Sequence, residues 1–173
     1  MPQLTLHTPL GEITLSEDEG ALVALDWGRG RDQDATPLLR EARAQLHDWF
    51  DGKRVDFDLP LRPHGTAFQG RVWDVMRAIP PGETLTYGAV AAQLNSSARA
   101  VGMACGANPI PIIIPCHRVV AASGRLGGYS GEGGGGTKRF LLRLEAASAG
   151  LLAGAPAASP NDPSATSVGE PAR

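Results

Sequence analysis

The pattern of apolar residues changes near residue 63, and this change restricts the chain to a fold made of two unlike parts. Before it, residues 3–8 and 11–15 alternate apolar and polar side chains, which is typical of β-strands that bury one face. After it, apolar residues recur at helical spacing in short segments that end at proline or asparagine. Pro60, Pro63 and Gly65 lie at the change and predict a linker, so we expect a domain boundary there.

Residues 1–62 predict a small N-terminal α+β domain. A third strand over residues 20–27 would complete an antiparallel sheet with the two alternating segments. Pro37 and Gly52 bracket a stretch whose apolar residues share one face, which predicts a helix. The alternation over residues 55–59 predicts one further strand.

Residues 63–147 predict a mostly helical, winged-helix-like domain. Apolar spacing predicts helices over residues 68–79, 87–94, 98–107 and 138–147. A short turn over residues 95–97 joins the second and third of these, as in a helix-turn-helix. From residue 148 to residue 173 the chain has almost no large apolar side chains, so we predict a disordered C-terminal tail.

Charge is distributed unevenly along a chain that is nearly neutral as a whole. Its 173 residues include 16 Lys and Arg and 18 Asp and Glu, which give a formal net charge of -2. Residues 1–67 hold 7 basic and 12 acidic residues, whereas residues 68–145 hold 8 basic and 4 acidic residues. Only the second segment is therefore expected to attract a polyanion.

Several classes of protein are excluded by the same sequence. No apolar run approaches the ~20 residues that span a bilayer. The first residues lack the basic start and apolar core of a secretory signal. Cys105 and Cys116 are too few for a disulfide framework or a structural zinc site. We therefore expect a cytoplasmic protein in a reducing compartment, without a membrane partner.

Cys116 and His117 form the candidate chemical centre. An unperturbed thiol, with a pKa of about 8.5, is only slightly ionised near pH 7, and a neighbouring imidazole can remove its proton while Arg118 adds positive potential. In an extended backbone, however, successive side chains point to opposite faces. Either the backbone turns at Pro115 or a bridging water carries the proton. An inert buried cysteine in an apolar strand is the structural alternative.

The segment from residue 68 to residue 145 resembles the O6-alkylguanine-DNA alkyltransferases. The matching residues are Tyr87, Ala98 to Gly102, Asn108-Pro109, Pro115 to Val119, Gly128 to Gly131, Lys138, Leu141, Leu142 and Glu145. Such proteins bind double-stranded DNA, flip out an alkylated guanine and move its O6-alkyl group to a cysteine. The resemblance implies DNA repair by a monomer that acts once, with neither an organic cofactor nor a catalytic metal. It leaves O4-alkylthymine open as a second substrate.

The resemblance also assigns catalytic roles. Cys116 would accept the alkyl group, His117 would activate it through water, and Glu145 would orient His117. Tyr87 would donate its phenolic proton toward the guanine ring as the bond breaks. Asn108 would brace the turn between the recognition helix and the active site.

Substrate-binding residues are implied in two groups. The base pocket would be lined by Val119, Tyr129 and Ser130, with Tyr129 beside the alkyl group. In the helix that enters the minor groove, an arginine would fill the gap left by the flipped base, and small residues would let the backbone approach closely. These helix residues are Ala98, Arg99 and Gly102.

Three other functions fit parts of the sequence. An alkyltransferase-like protein binds lesions without transfer, but such relatives replace the acceptor cysteine, usually with tryptophan, and this chain retains Cys116. A cysteine hydrolase would use Cys116 and His117 in repeated turnover. A helix-turn-helix transcription factor would prefer one undamaged DNA sequence.

Overall fold

The computed structural model describes residues 1–122 and 135–152. An antiparallel sheet and one helix come first in the chain, and a group of helices with a short parallel pair of strands follows, so the predicted α+β class is confirmed. In chain order the elements are β1 (Gln3–Thr8), β2 (Gly11–Asp18), β3 (Ala21–Trp27), α1 (Pro37–Phe50), α2 (Ala67–Ala78), β4 (Leu85–Thr86), α3 (Tyr87–Leu94), α4 (Ala98–Gly106), a 3-10 turn (Cys116–Arg118), β5 (Val119–Val120) and α5 (Gly135–Leu152).

The first sheet has the strand order β1-β2-β3, and its register explains the alternation in the sequence. Leu4 faces Leu15 and Leu6 faces Ile13 across the β1–β2 pair, so all four apolar side chains reach the same buried face. Helix α1 packs on β1 and β2. Thr36 caps its N-terminus, because the side-chain oxygen of Thr36 accepts a hydrogen bond from the backbone N–H of Leu39 in the first turn.

The strand predicted over residues 55–59 is wrong. The side chain of Gln45, from α1, accepts a hydrogen bond from the backbone N–H of Asp58 at 2.9 Å and donates one to its carbonyl oxygen at 3.1 Å. A side chain therefore satisfies the backbone groups that a neighbouring strand would otherwise bind. Just beyond, Leu61 forms an isolated bridge with Leu22 of β3.

In the part of the chain after residue 63, capping residues and turns in the local sequence set the ends of the helices. Thr66 and Gln69 form a reciprocal capping box at the start of α2. Trp73 of α2 donates its indole N–H to the carbonyl oxygen of Ala104 in α4 at 2.9 Å, which fixes these two helices together. Asn95, with φ +52°, ends α3 in the left-handed conformation, and α4 begins three residues later. The predicted helix-turn-helix is thus formed by α3 and α4.

Helix α5 is longer than predicted at both ends. It continues past residue 147, so the prediction of disorder is wrong for residues 148–152. The extra turn is held by contacts that composition does not reveal, because Ser148 is buried next to Gly52 and Ala149 lies against Gly82. The rest of the predicted tail, residues 153–173, lies outside the described residues.

Buried hydrophobic side chains from both parts of the described chain form a continuous core. Trp49 of α1, Trp73 of α2 and Cys116 all belong to it. The domain boundary near residue 63 therefore stays a prediction. Among the described helices, none has the length and apolar character needed to cross a membrane.

Candidate active site

Cys116 lies at the start of a 3-10 turn, Cys116–Arg118, rather than in an extended strand. Pro115 has φ -83° and ψ +69°, and the Cys116 N–H donates to the carbonyl oxygen of Ile114 at 2.8 Å, which together make an inverse γ-turn. The backbone therefore turns at Pro115, one of the two possibilities that the sequence left open. Because of this turn, Cys116 and His117 are not forced onto opposite faces.

Asn108 holds the loop that leads to Cys116. Its side-chain amide donates to the carbonyl oxygen of Ile114 at 2.8 Å, and its side-chain oxygen accepts from the N–H of Ile110 at 3.0 Å. Within this loop, Ile112 has φ +73°, a strained conformation for a β-branched residue. Burial of the isoleucines and both bonds from Asn108 hold that conformation in place. Asn108 thus sits at the predicted brace position.

The Cys116 thiol is buried, with 5% of the residue exposed. Burial raises the pKa of this thiol, while a hydrogen bond from the Asn108 side chain and the positive charge of Lys138 act against that rise. The resting sulfur is therefore protonated at neutral pH, so a base must remove its proton before it can act as a nucleophile.

His117 and Glu145 form a buried pair. His117 Nε2 lies 2.8 Å from Glu145 Oε1, and the two residues are 0% and 2% exposed. Because an ionised carboxylate only accepts hydrogen bonds, Nε2 is assigned the proton and Nδ1 keeps its lone pair. Among the described residues, Nδ1 is the buried side-chain nitrogen without a hydrogen-bond partner. Burial lowers the pKa of His117, and Glu145 opposes this only in part, so the imidazole is neutral and able to accept a proton.

Arg118 completes the buried ion cluster around Glu145. Its Nε lies 3.0 and 3.1 Å from the two carboxylate oxygens, Nη2 also binds Oε2, and Nη1 donates to the carbonyl oxygen of Ile79 at 2.6 Å. Burial alone would raise the pKa of Glu145, but hydrogen bonds from His117 and Arg118 and the positive charge of Arg118 hold it below its ordinary value. Arg118 is thus directed to Glu145, and it is the positive charge of Lys138 that opposes the rise in the pKa of the thiol.

Lys138 also lies in this site, although sequence reasoning noted it only as part of the resemblance and gave it no role. Its Nζ donates to the carbonyl oxygen of Val119 at 2.6 Å and lies 3.4 Å from the Tyr87 hydroxyl. Burial, followed by the neighbouring thiols, raises the pKa of Tyr87 to about 12. A periodic signal was present in the sequence, because Lys138, Leu141 and Glu145 have helical spacing and share one buried face of α5.

The structure gathers six of the predicted site residues into one region. These are Tyr87, Asn108, Cys116, His117, Val119 and Glu145. The predicted pocket residues Tyr129 and Ser130 lie outside the described residues. Within residues 1–122 and 135–152, no three His, Cys, Asp or Glu side chains are grouped so that they could hold a metal ion.

Two family models match most of the chain. The model described as "6-O-methylguanine DNA methyltransferase, ribonuclease-like domain" matches residues 3–63. The model of the same methyltransferase's DNA binding domain matches residues 67–147. The chain belongs to the 6-O-methylguanine DNA methyltransferase family. The resemblance found in the sequence is thereby confirmed.

Comparison with individual proteins supports the same family assignment for this 6-O-methylguanine DNA methyltransferase family member. It is 42% identical to the methylated-DNA–protein-cysteine methyltransferase of Methanosarcina acetivorans, over 80% of this chain and 94% of the relative. It is 40% identical to the constitutive enzyme of Bacillus subtilis, over 82% and 93% of the two chains. A crystal structure of Mycobacterium tuberculosis OGT in complex with DNA superimposes with a TM-score of 0.77 at 41% identity, covering 86% of this chain and 94% of that chain.

Helix α4 of this family member presents a distinct outer face. Arg99 and Met103 are exposed, the latter at 70%, and they lie one turn apart. Ala98 and Gly102 lie beside them and add little bulk, so the helix backbone can be approached closely. We name this surface, made of Ala98, Arg99, Gly102 and Met103, the α4 face. Sequence reasoning identified all of it except Met103.

Proposed function

We propose that this protein repairs DNA by moving the alkyl group from O6 of a flipped-out guanine to the sulfur of Cys116, as a monomer that reacts once in the cytoplasm. The carbon–O6 bond breaks and a carbon–sulfur bond forms. The thiol loses its proton to His117, and the departing purine gains one from Tyr87. The observation that carries the proposal is the ion cluster beside Cys116. In it, an ionised Glu145 fixes His117 with one buried, unprotonated nitrogen.

The first step is removal of the thiol proton. His117 would take this proton through a bridging water, since its neutral Nδ1 is an acceptor. Glu145 would stabilise the imidazolium that results. Arg118 keeps Glu145 ionised, which prevents the carboxylate from taking a proton itself.

The second step is stabilisation of the departing purine. Tyr87, whose pKa is about 12, stays protonated at neutral pH and would donate its proton to the guanine ring. The Lys138 ammonium, 3.4 Å from the phenolic oxygen, would then stabilise the phenolate. The carbonyl oxygen of Val119 accepts from Lys138 and has a second lone pair, with which it would bind the base.

DNA is the partner, and the α4 face is the surface that would bind it. We expect Arg99→Ala and Met103→Glu each to weaken binding of a duplex containing one O6-methylguanine by about tenfold, because one change removes a cation from the DNA-facing helix and the other adds an anion to it. Fluorescence anisotropy on a Cys116→Ser background measures binding without transfer. Arg40→Ala, an exposed arginine on α1, is the matched control and should bind normally. Normal binding by both α4 variants would contradict this assignment.

Direct transfer is tested by incubating the protein with a duplex that contains one O6-methylguanine and then measuring the mass of the Cys116 peptide by mass spectrometry. We expect a mass increase of one methyl group in place of hydrogen, at one methyl group per protein molecule. An unmodified peptide from protein that binds the lesion would instead identify a binding-only relative. Many products per molecule would identify a hydrolase.

A further inference from the structure

A residue of the first part of the chain touches the proposed catalytic base. Trp49 lies in the last turn of α1, and its ring contacts the His117 imidazole edge to face, with centroids 6.4 Å apart and planes at 68°. Both residues are buried, at 2% and 0% exposure. We infer that Trp49 is a positioning residue for alkyl transfer, which holds the His117 ring on Glu145 and excludes water from that pair. This inference rests on the proposed role of His117 as the base.

Trp49 is also held by contacts other than the one with His117. Its ring contacts Phe50 at 5.1 Å in an edge-to-face arrangement and Phe57 at 6.1 Å. The turn that follows α1 lies against α5, since Gly52 is next to Ser148. Trp49, Phe50 and Phe57, all from the first part of the chain, therefore form an aromatic wall on which His117 packs.

The surroundings of His117 explain what this wall contributes. Glu145 and Lys138 act on it from α5, and Arg118 acts on it from its own turn, next to the titratable Cys116. Among the described residues, none of the charged groups that shift the pKa of His117 lies on α1. From that side His117 is covered by an apolar ring, which keeps the local dielectric low and strengthens the Nε2 hydrogen bond.

If Trp49 keeps water away from His117, the first part of the chain helps to set the pH dependence of the transfer rate. Burial lowers the pKa of His117, and only the neutral imidazole accepts the thiol proton. Admitting water beside the ring would raise this pKa toward its ordinary value. The acid side of the rate profile would then move to higher pH.

The test compares Trp49→Leu and Trp49→Phe with the wild-type full-length protein. For Trp49→Leu we expect the midpoint of the acid limb of the methyl-transfer rate to rise by roughly one pH unit, with unchanged affinity for the lesion duplex. Trp49→Phe keeps a ring and should recover most of the wild-type profile. Trp27→Leu removes the same side chain from β3, away from the contact, and should leave the midpoint unchanged.

A second readout does not depend on transfer. Nitrogen chemical shifts of His117 report its tautomer and its titration, and Trp49→Leu should raise its pKa while Trp27→Leu does not. If both Trp49 variants only lower Tm and the rate uniformly, with neither the midpoint nor the titration moved, the inference is overturned. Should Trp49→Leu not fold, Trp49→Met, which also removes the ring, is measured in its place and is judged by the same outcomes. Absence of transfer by the wild-type protein would instead overturn the proposed function.

Discussion

Cys116→Ser should abolish transfer of the methyl group from O6-methylguanine in duplex DNA and leave the affinity for that duplex unchanged within about twofold. A serine hydroxyl is a far weaker nucleophile than a thiol at its ordinary pKa, and the His117–Glu145 pair is arranged to remove one thiol proton. Binding should persist because the buried thiol is protonated at rest, so its removal takes no charge from the DNA-facing surface. Intact-mass measurement after incubation with the duplex gives the number of methyl groups per protein.

Cys105→Ala is the matched control. Cys105 lies in α4 with its sulfur 3.7 Å from that of Met76, and burial, followed by the nearby Cys116, raises its pKa to about 12. In the described part of the chain the Cys105 sulfur contacts a thioether rather than an imidazole, so the variant should still accept one methyl group per molecule. A methyl group found on the Cys116→Ser protein would place the acceptor elsewhere, with Cys105 as the first candidate.

Local patterns predicted most of the secondary structure, because the forces that decide it are local. The alternation in β1 and β2, the start of α1 at Pro37 and the turn over residues 95–97 each depend on a few adjacent residues. The two errors came from contacts distant in sequence. The Gln45 side chain binds the backbone of Asp58. The end of α5 lies against the turns at Gly52 and Gly82, which come from different parts of the chain.

The active site also combines features that the sequence marked with contacts between residues distant in sequence, which it did not. The resemblance marked Cys116, His117 and Glu145, but it gave no partner for Arg118 and no role for Trp49. Arg118 binds a carboxylate 27 residues away, and Trp49 reaches His117 from another part of the fold. The positive φ of Ile112 was also beyond sequence reasoning, since isoleucine ordinarily favours an extended backbone.

Glu145→Gln should lower both the stability of the fold and the rate of transfer. The amide keeps the size of the side chain but loses the charge that balances buried Arg118, and breaking a buried ion pair in this way costs about 3–5 kcal/mol of unfolding free energy. The glutamine oxygen can still accept from His117, but the imidazolium formed during transfer would lose the carboxylate charge that stabilises it, so we expect transfer to slow by roughly a hundredfold. Denaturant unfolding and single-turnover transfer measure the two effects. Glu83→Gln, an exposed glutamate before β4, should change neither.

The dependence of stability on pH separates the charge of Glu145 from its packing. The folded state lowers the pKa of Glu145, so its contribution is present above the ordinary pKa and lost as the pH falls through the lowered value. His117, whose pKa is also lowered, adds to the loss on acidification, since the unfolded chain binds its proton first, from about pH 6.5 downward. The Tm of the wild-type protein should therefore fall from pH 7 towards acid.

The difference in Tm between wild type and Glu145→Gln should shrink as Glu145 takes up its proton, because Arg118 then faces a neutral group in both proteins. A difference that stays constant from neutral to acid pH would mean that the pair stabilises the protein through shape alone.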